Sequence, residues 1–129
     1  MKFAYVITYV QNVDETLSFY EKAFGFQRKF ITPEKDYGEL VSGETTISFA
    51  SLELAKSNFS KPVETLGSST NVIGVEFAFT SEDIENDFSR AIDAGAKLFE
   101  PIKLKPWGQK VGYLLDLNGF LIEVCTPIG

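Results

Sequence analysis

The stretch KFAYVITYVQNVDETLSFYEKAFGF, residues 2–26, splits into two parts of different period. Residues 2–10 concentrate β-branched and aromatic types over a strand length, which predicts a strand. Asn12 then offers a helix N-cap, with Glu15 as its capping-box partner. Val13, Leu17, Tyr20 and Phe24 recur at helical spacing and Gly25 ends the run, so a helix follows the strand. Beyond it FQRKFIT, ELVSG and TTISFA read as three short strands, separated by the turn signals PEKDYG and SGE. The order is β-α-β-β-β.

Residues 52–71 mix Ser, Lys, Asn, Pro and Gly without a sustained period and are expected to be a connecting loop. Then the order repeats. NVIGVEFAFT reads as a strand, Thr80 or Ser81 as a cap, and DIENDFSRAIDAGA as a helix with Ile84, Phe88, Ala91 and Ile92 inward and Gly95 as its stop. KLFEP, a polar loop KLKPWG, a strand QKVGYLLD, the turn DLNG and a last strand FLIEVCT complete it. The expectation is one α+β domain over 1–129: module one at 1–51, a linker at 52–71 and module two at 72–129. One such module cannot cover both faces of its sheet, and a repeat of about 70 residues points to two acting together. Two tandem β-α-β-β-β modules put helices outside and leave a curved mixed sheet around a cleft, where function is expected.

Composition narrows the function. At 129 residues and 44% hydrophobic the chain can build a real core. A net charge of -6, from 18 acidic against 12 basic residues, argues against nucleic acid or an anionic membrane as partner and favours a cationic ligand. Cys125 is the single cysteine, so no internal disulfide or thiolate metal cluster can form. The opening MKFAYVITYV is too short and strand-like for a signal peptide, and no apolar run nears about 18 residues, so a soluble cytoplasmic protein is expected. Histidine is absent, which removes Ser-His-Asp triads, His-Cys pairs and HExxH zinc sites.

FYEKAFGF after the first strand, AGA ending the second helix, PWGQ in the late loop and the closing D-x-N-G-x-x-I-E together resemble the vicinal oxygen chelate superfamily over nearly the whole chain. That superfamily includes glyoxalase I, extradiol dioxygenases and bleomycin-resistance proteins. The resemblance implies paired β-α-β-β-β modules, often as homodimers. It also implies four inward positions, which hold His, Glu or Gln in metal-using members. They map onto Tyr5, Ser48 or Thr46, Glu76 and the terminal Glu123.

Alternation puts Ile73, Val75, Phe77 and Phe79 on one face of their strand and Gly74, Glu76, Ala78 and Thr80 on the other. Likewise Leu121, Glu123 and Cys125 oppose Phe120, Ile122 and Val124. Both acids should therefore point away from the helix. Two glutamates, a tyrosine and a hydroxyl make a poor shell for zinc, nickel or iron, although Mg²⁺ or Mn²⁺ accepts two carboxylates and waters. The expectation is no cofactor, with Glu76 and Glu123 the ligands of any divalent metal. Carboxylates beside the aromatic faces of Tyr5, Tyr9 and Trp107 suit planar or cationic organic molecules. This resembles the bleomycin-resistance branch, which sequesters a drug without chemistry. The alternatives are a divalent-metal lyase, isomerase or dioxygenase, and a metal-free enzyme using the two glutamates as acid and base. Each residue also has a structural reading. Glu123 held by a cation or water, Glu76 solvated, the tyrosines filling the core, Trp107 capping a sheet end or dimer contact, and Cys125 inert would leave no site.

Overall fold

Caps and glycines place the first helix where the pattern puts it, while the first strand is shorter than the expected residues 2–10. The structure, a computed structural model, describes residues 1–65 and 72–128. Strand β1 (Val6–Val10) leads into helix α1 (Val13–Phe24), whose Asn12 Oδ1 accepts the Glu15 N–H at 3.0 Å. Gly25 closes the helix at φ 75°, a left-handed conformation that a glycine adopts without steric cost. Strands β2 (Gln27–Ile31), β3 (Tyr37–Ser42) and β4 (Thr45–Ser51) follow. The sheet order is β1-β4-β3-β2, with β1 parallel to β4 and the other pairs antiparallel. Val13, Leu17 and Tyr20 of α1 are buried together with Leu40 and Phe49 of the sheet, and the Tyr20 and Phe49 rings meet at 5.0 Å. Arg28 ties β2 to the helix through Asp14 at 2.7 Å, Glu21 at 3.1 Å and Ser18 Oγ at 3.0 Å.

The expected connecting loop begins as a helix, α2 (Leu52–Asn58), capped by Ser51 Oγ accepting the Leu54 N–H at 3.1 Å. Seven residues that bury only Ala55 show no amphipathic period, which is why the pattern reads as loop. Residues 59–65 carry no helix or strand, as expected, and the remainder, at 66–71, lies outside the described residues.

The second module repeats the order. β5 (Glu76–Thr80) and α3 (Ile84–Asp93) precede β6 (Lys97–Leu104), β7 (Lys110–Leu115) and β8 (Leu121–Cys125), in a sheet ordered β5-β8-β7-β6. The α+β class and the paired modules are as expected, with hydrogen bonding confining each module to its own mixed four-stranded sheet. Asp83, rather than Thr80 or Ser81, is the N-cap residue of α3; Ser81 Oγ instead accepts the Asp83 N–H at 3.0 Å. Ile84, Phe88 and Ala91 are buried as expected, but Ile92, at the flank of that stripe, is exposed. The polar loop is shorter than predicted, because β6 continues through Pro101 to Leu104. An edge strand tolerates that proline, and the register shifts on both sides of Glu100.

The modules share a device. In both, the third strand carries a glycine under the helix: a Cβ on Gly38 would meet Leu17 Cδ1 at 2.5 Å, and one on Gly112 would meet Phe88 Cε1 at 2.5 Å. Contacts divide the chain into two compact units, one ending at Thr65 and one beginning at residue 66.

Candidate functional site

In the second unit the register brings Ala78, Glu123, Tyr113 and Glu100 into one row across all four strands. Directly opposed residues share a face, and Glu76 and Cys125, two residues away along their strands, share it too. The other face carries Phe77, which stacks on Phe120 at 4.5 Å, and Gly112, over which Phe88 of α3 lies. Glu76 and Glu123 therefore point away from the helix, as alternation required.

The row is electrostatically crowded. The Tyr113 hydroxyl donates to Glu123 Oε1 at 3.1 Å, and its pKa is pushed up to about 12, first by burial and then by the bond to Glu123 and that carboxylate's charge. Glu76 holds its proton above the usual carboxylate range. Burial is the largest cause, followed by the negative charge of Glu123 and a hydrogen bond to it. The Cys125 thiol is raised by burial and by Glu123, so it is no ready nucleophile. Among the described residues no lysine or arginine forms an ion pair with Glu76 or Glu123.

The first unit solves the same problem internally. Its corresponding row is Ile7, Ser48, Glu39 and Phe30. Buried Glu39 accepts from the Tyr37 hydroxyl at 2.6 Å and has Lys29 Nζ at 3.6 Å as its cation. Tyr37 Oη also lies 3.0 Å from Ser48 Oγ. A phenol has one proton and the shorter contact takes it, so the Ser48 hydroxyl supplies the other. Burial raises the Tyr37 pKa most, with Glu39 adding to it and Tyr5 contributing a smaller electrostatic effect.

The expected residues thus fall into distinct settings. Glu76 and Glu123 are brought together. Ser48 is fully buried against Tyr37, and Thr46, its alternative, is half-buried on the same strand. Tyr5 precedes β1 and is half exposed, while Tyr9 meets Phe59 edge-on at 6.1 Å. Trp107, 66% exposed, sits in the turn between β6 and β7, its Nε1 donating to Gln109 Oε1 at 2.7 Å. Sequence reasoning passed over Tyr113, Gln109, Tyr37 and Glu39. For Tyr113 a signal existed: the short DLNG turn pairs Leu115 with Leu121, and counting outward puts Tyr113 opposite Glu123.

The donor set does not fit a zinc, nickel or iron centre. The chain has no imidazole, and among the described residues no group of three His, Cys, Asp or Glu side chains is placed to hold a metal ion. What remains is Glu76 with a raised pKa, Glu123 and a phenol that resists ionisation.

Comparison with known proteins bears on the fold and the family. No curated protein matches. A glyoxalase-related enzyme from Fulvimarina pelagi superposes with a TM-score of 0.80 at 16% identity, covering 98% of this chain and 88% of that one. TioX from Micromonospora sp. ML1 gives 0.72 at 21% identity, covering 98% of both chains. A glyoxalase/bleomycin resistance protein/dioxygenase family enzyme from Burkholderia phytofirmans PsJN gives 0.71 at 22% identity, covering 95% of this chain and 96% of its own. These likenesses establish the fold, and a family model matches residues 2–124, so the chain belongs to the Glyoxalase/Bleomycin resistance protein/Dioxygenase superfamily.

Proposed function

We propose that the protein binds a small planar cation without a metal, in the manner of drug sequestration. The observation that carries this reading is the Glu76–Glu123 pair, which faces away from the helix with Tyr113 as partner and, among the described residues, no basic side chain. Glu39 in the first unit already has Lys29; Glu76 and Glu123 await a cation from outside. The exposed ring of Trp107 supplies a stacking surface in the same unit. The protein acts as a cytoplasmic homodimer, an assembly supported by the large apolar side chains Phe3, Val6 and Ile7 left exposed on a single chain.

Calorimetric titration of EDTA-treated protein with ethidium, a planar aromatic cation, tests the reading. Binding is expected to survive chelation and to weaken about tenfold or more in Glu123→Gln, in line with losing a close charge partner. Absence of ethidium binding by the wild-type protein would overturn it. Stoichiometric binding of Mn²⁺ or Ni²⁺ that disappears in Glu123→Gln would replace it with a divalent-metal lyase, isomerase or dioxygenase.

A further inference from the structure

We infer that Gln109 is the positioning residue of this site, holding the Trp107 indole in one orientation and tying it to the strand that carries Glu123. The inference rests on the binding reading above and goes beyond it by naming what presents the aromatic surface. The backbone under Trp107 is already constrained: Gly108 N–H donates to Lys105 O at 2.9 Å, Lys105 N–H donates to Gln109 O at 2.8 Å, and Pro106 occupies the second position of the turn. A side chain 66% exposed would still rotate freely about its two side-chain torsions. The indole N–H removes that freedom by donating to Gln109 Oε1 at 2.7 Å.

The other end of the same amide is also committed. Gln109 Nε2 donates to the Thr126 carbonyl at 2.6 Å, one residue beyond β8. An indole N–H requires an acceptor and a carbonyl a donor, so only one orientation of the amide satisfies both. Thr126 is itself fixed, exchanging Thr126 N–H to Lys110 O at 3.0 Å and Lys110 N–H to Thr126 Oγ1 at 3.1 Å. Gln109 therefore links the exposed ring to the end of the strand that carries Glu123.

Trp107 is the sole tryptophan, so its fluorescence reports on this residue alone. The test compares wild type, Gln109→Met, Gln109→Glu, Trp107→Phe and the Trp107→Phe/Gln109→Met double variant, with ethidium affinity read by calorimetry. Gln109→Met is expected to lower the Trp107 anisotropy, increase acrylamide quenching and weaken ethidium about tenfold. Trp107→Phe, which keeps a ring but loses the N–H, is expected to weaken binding comparably, and the double variant no further. Gln109→Glu, which keeps an acceptor for the indole but loses the donor to the Thr126 carbonyl, is expected to fall between wild type and Gln109→Met in anisotropy and affinity. Additive losses in the double variant, or equal losses in Gln109→Glu and Gln109→Met, overturn the positioning role in favour of a purely structural tether. If wild type binds ethidium and Gln109→Met binds it equally well, this inference fails while the binding reading stands. If wild type does not bind, both fail together.

Discussion

The Glu76 pKa lies above the ordinary value of 4.5, first because desolvation penalises its ionised form and then because ionising it would put a second negative charge beside Glu123. The consequence for stability has a definite sign. A folded-state pKa above the unfolded one contributes stability that is complete below pH 4.5 and is lost as pH rises through the raised value. Glu76→Gln, neutral at every pH, should therefore melt at a higher temperature than wild type at pH 7 and show no such gain at pH 4. Thermal melts at both pH values check this, and a gain confined to pH 4 would contradict the raised Glu76 pKa. Tyr113 gives a second test. Its pKa of about 12 owes most to burial, which Glu123→Gln leaves in place, then to Glu123, with Glu76 and Cys125 adding less. Ultraviolet titration of the tyrosines should show this residue moving down in Glu123→Gln, part of the way toward the ordinary 10.0.

At the scale of elements, each helix sits on a glycine of its module's third strand. Gly38→Ala would drive a methyl group against Leu17 Cδ1 at 2.5 Å, Phe30 O at 3.2 Å and Val13 Cγ1 at 3.3 Å, and Leu17 and Val13 are both fully buried. Gly112→Ala would do the same to Phe88 and Ile102. Overpacking of this kind costs about 1–3 kcal/mol, so each variant should unfold at lower urea concentration than wild type with the slope of the transition unchanged. The N-cap is a milder case. Asn12→Ala removes the acceptor for the Glu15 N–H and should cost about 1 kcal/mol in the same assay. These elements differ in how much of them the chain announces. Helix α1 carries its cap, its period and its terminal glycine in consecutive residues and was legible to within a residue at its ends. Helix α2 has neither length nor period, and β6 runs through a proline that only its edge position permits.

At the scale of the whole molecule, the net charge of -6 and the carboxyl pair act in the same direction on a cationic ligand. Raising NaCl from about 0.05 to 0.5 M shortens the screening length and should weaken ethidium binding several-fold, whereas binding indifferent to salt would argue for stacking alone. Sedimentation equilibrium should return twice the 14.4 kDa of one chain, and a single-chain mass would remove the proposed homodimer. The sequence by itself determined the α+β class, the repeated β-α-β-β-β order and the side of the sheet on which Glu76 and Glu123 lie, because period and alternation are local properties of consecutive residues. The tertiary structure alone decided which side chains those acids meet. Tyr113 reaches Glu123 across an antiparallel register, Glu76 reaches it from a parallel neighbour on the far side of a crossover, and Gln109 joins a turn to the end of β8. Such partners are set by strand pairing over long sequence separations, which no local pattern encodes.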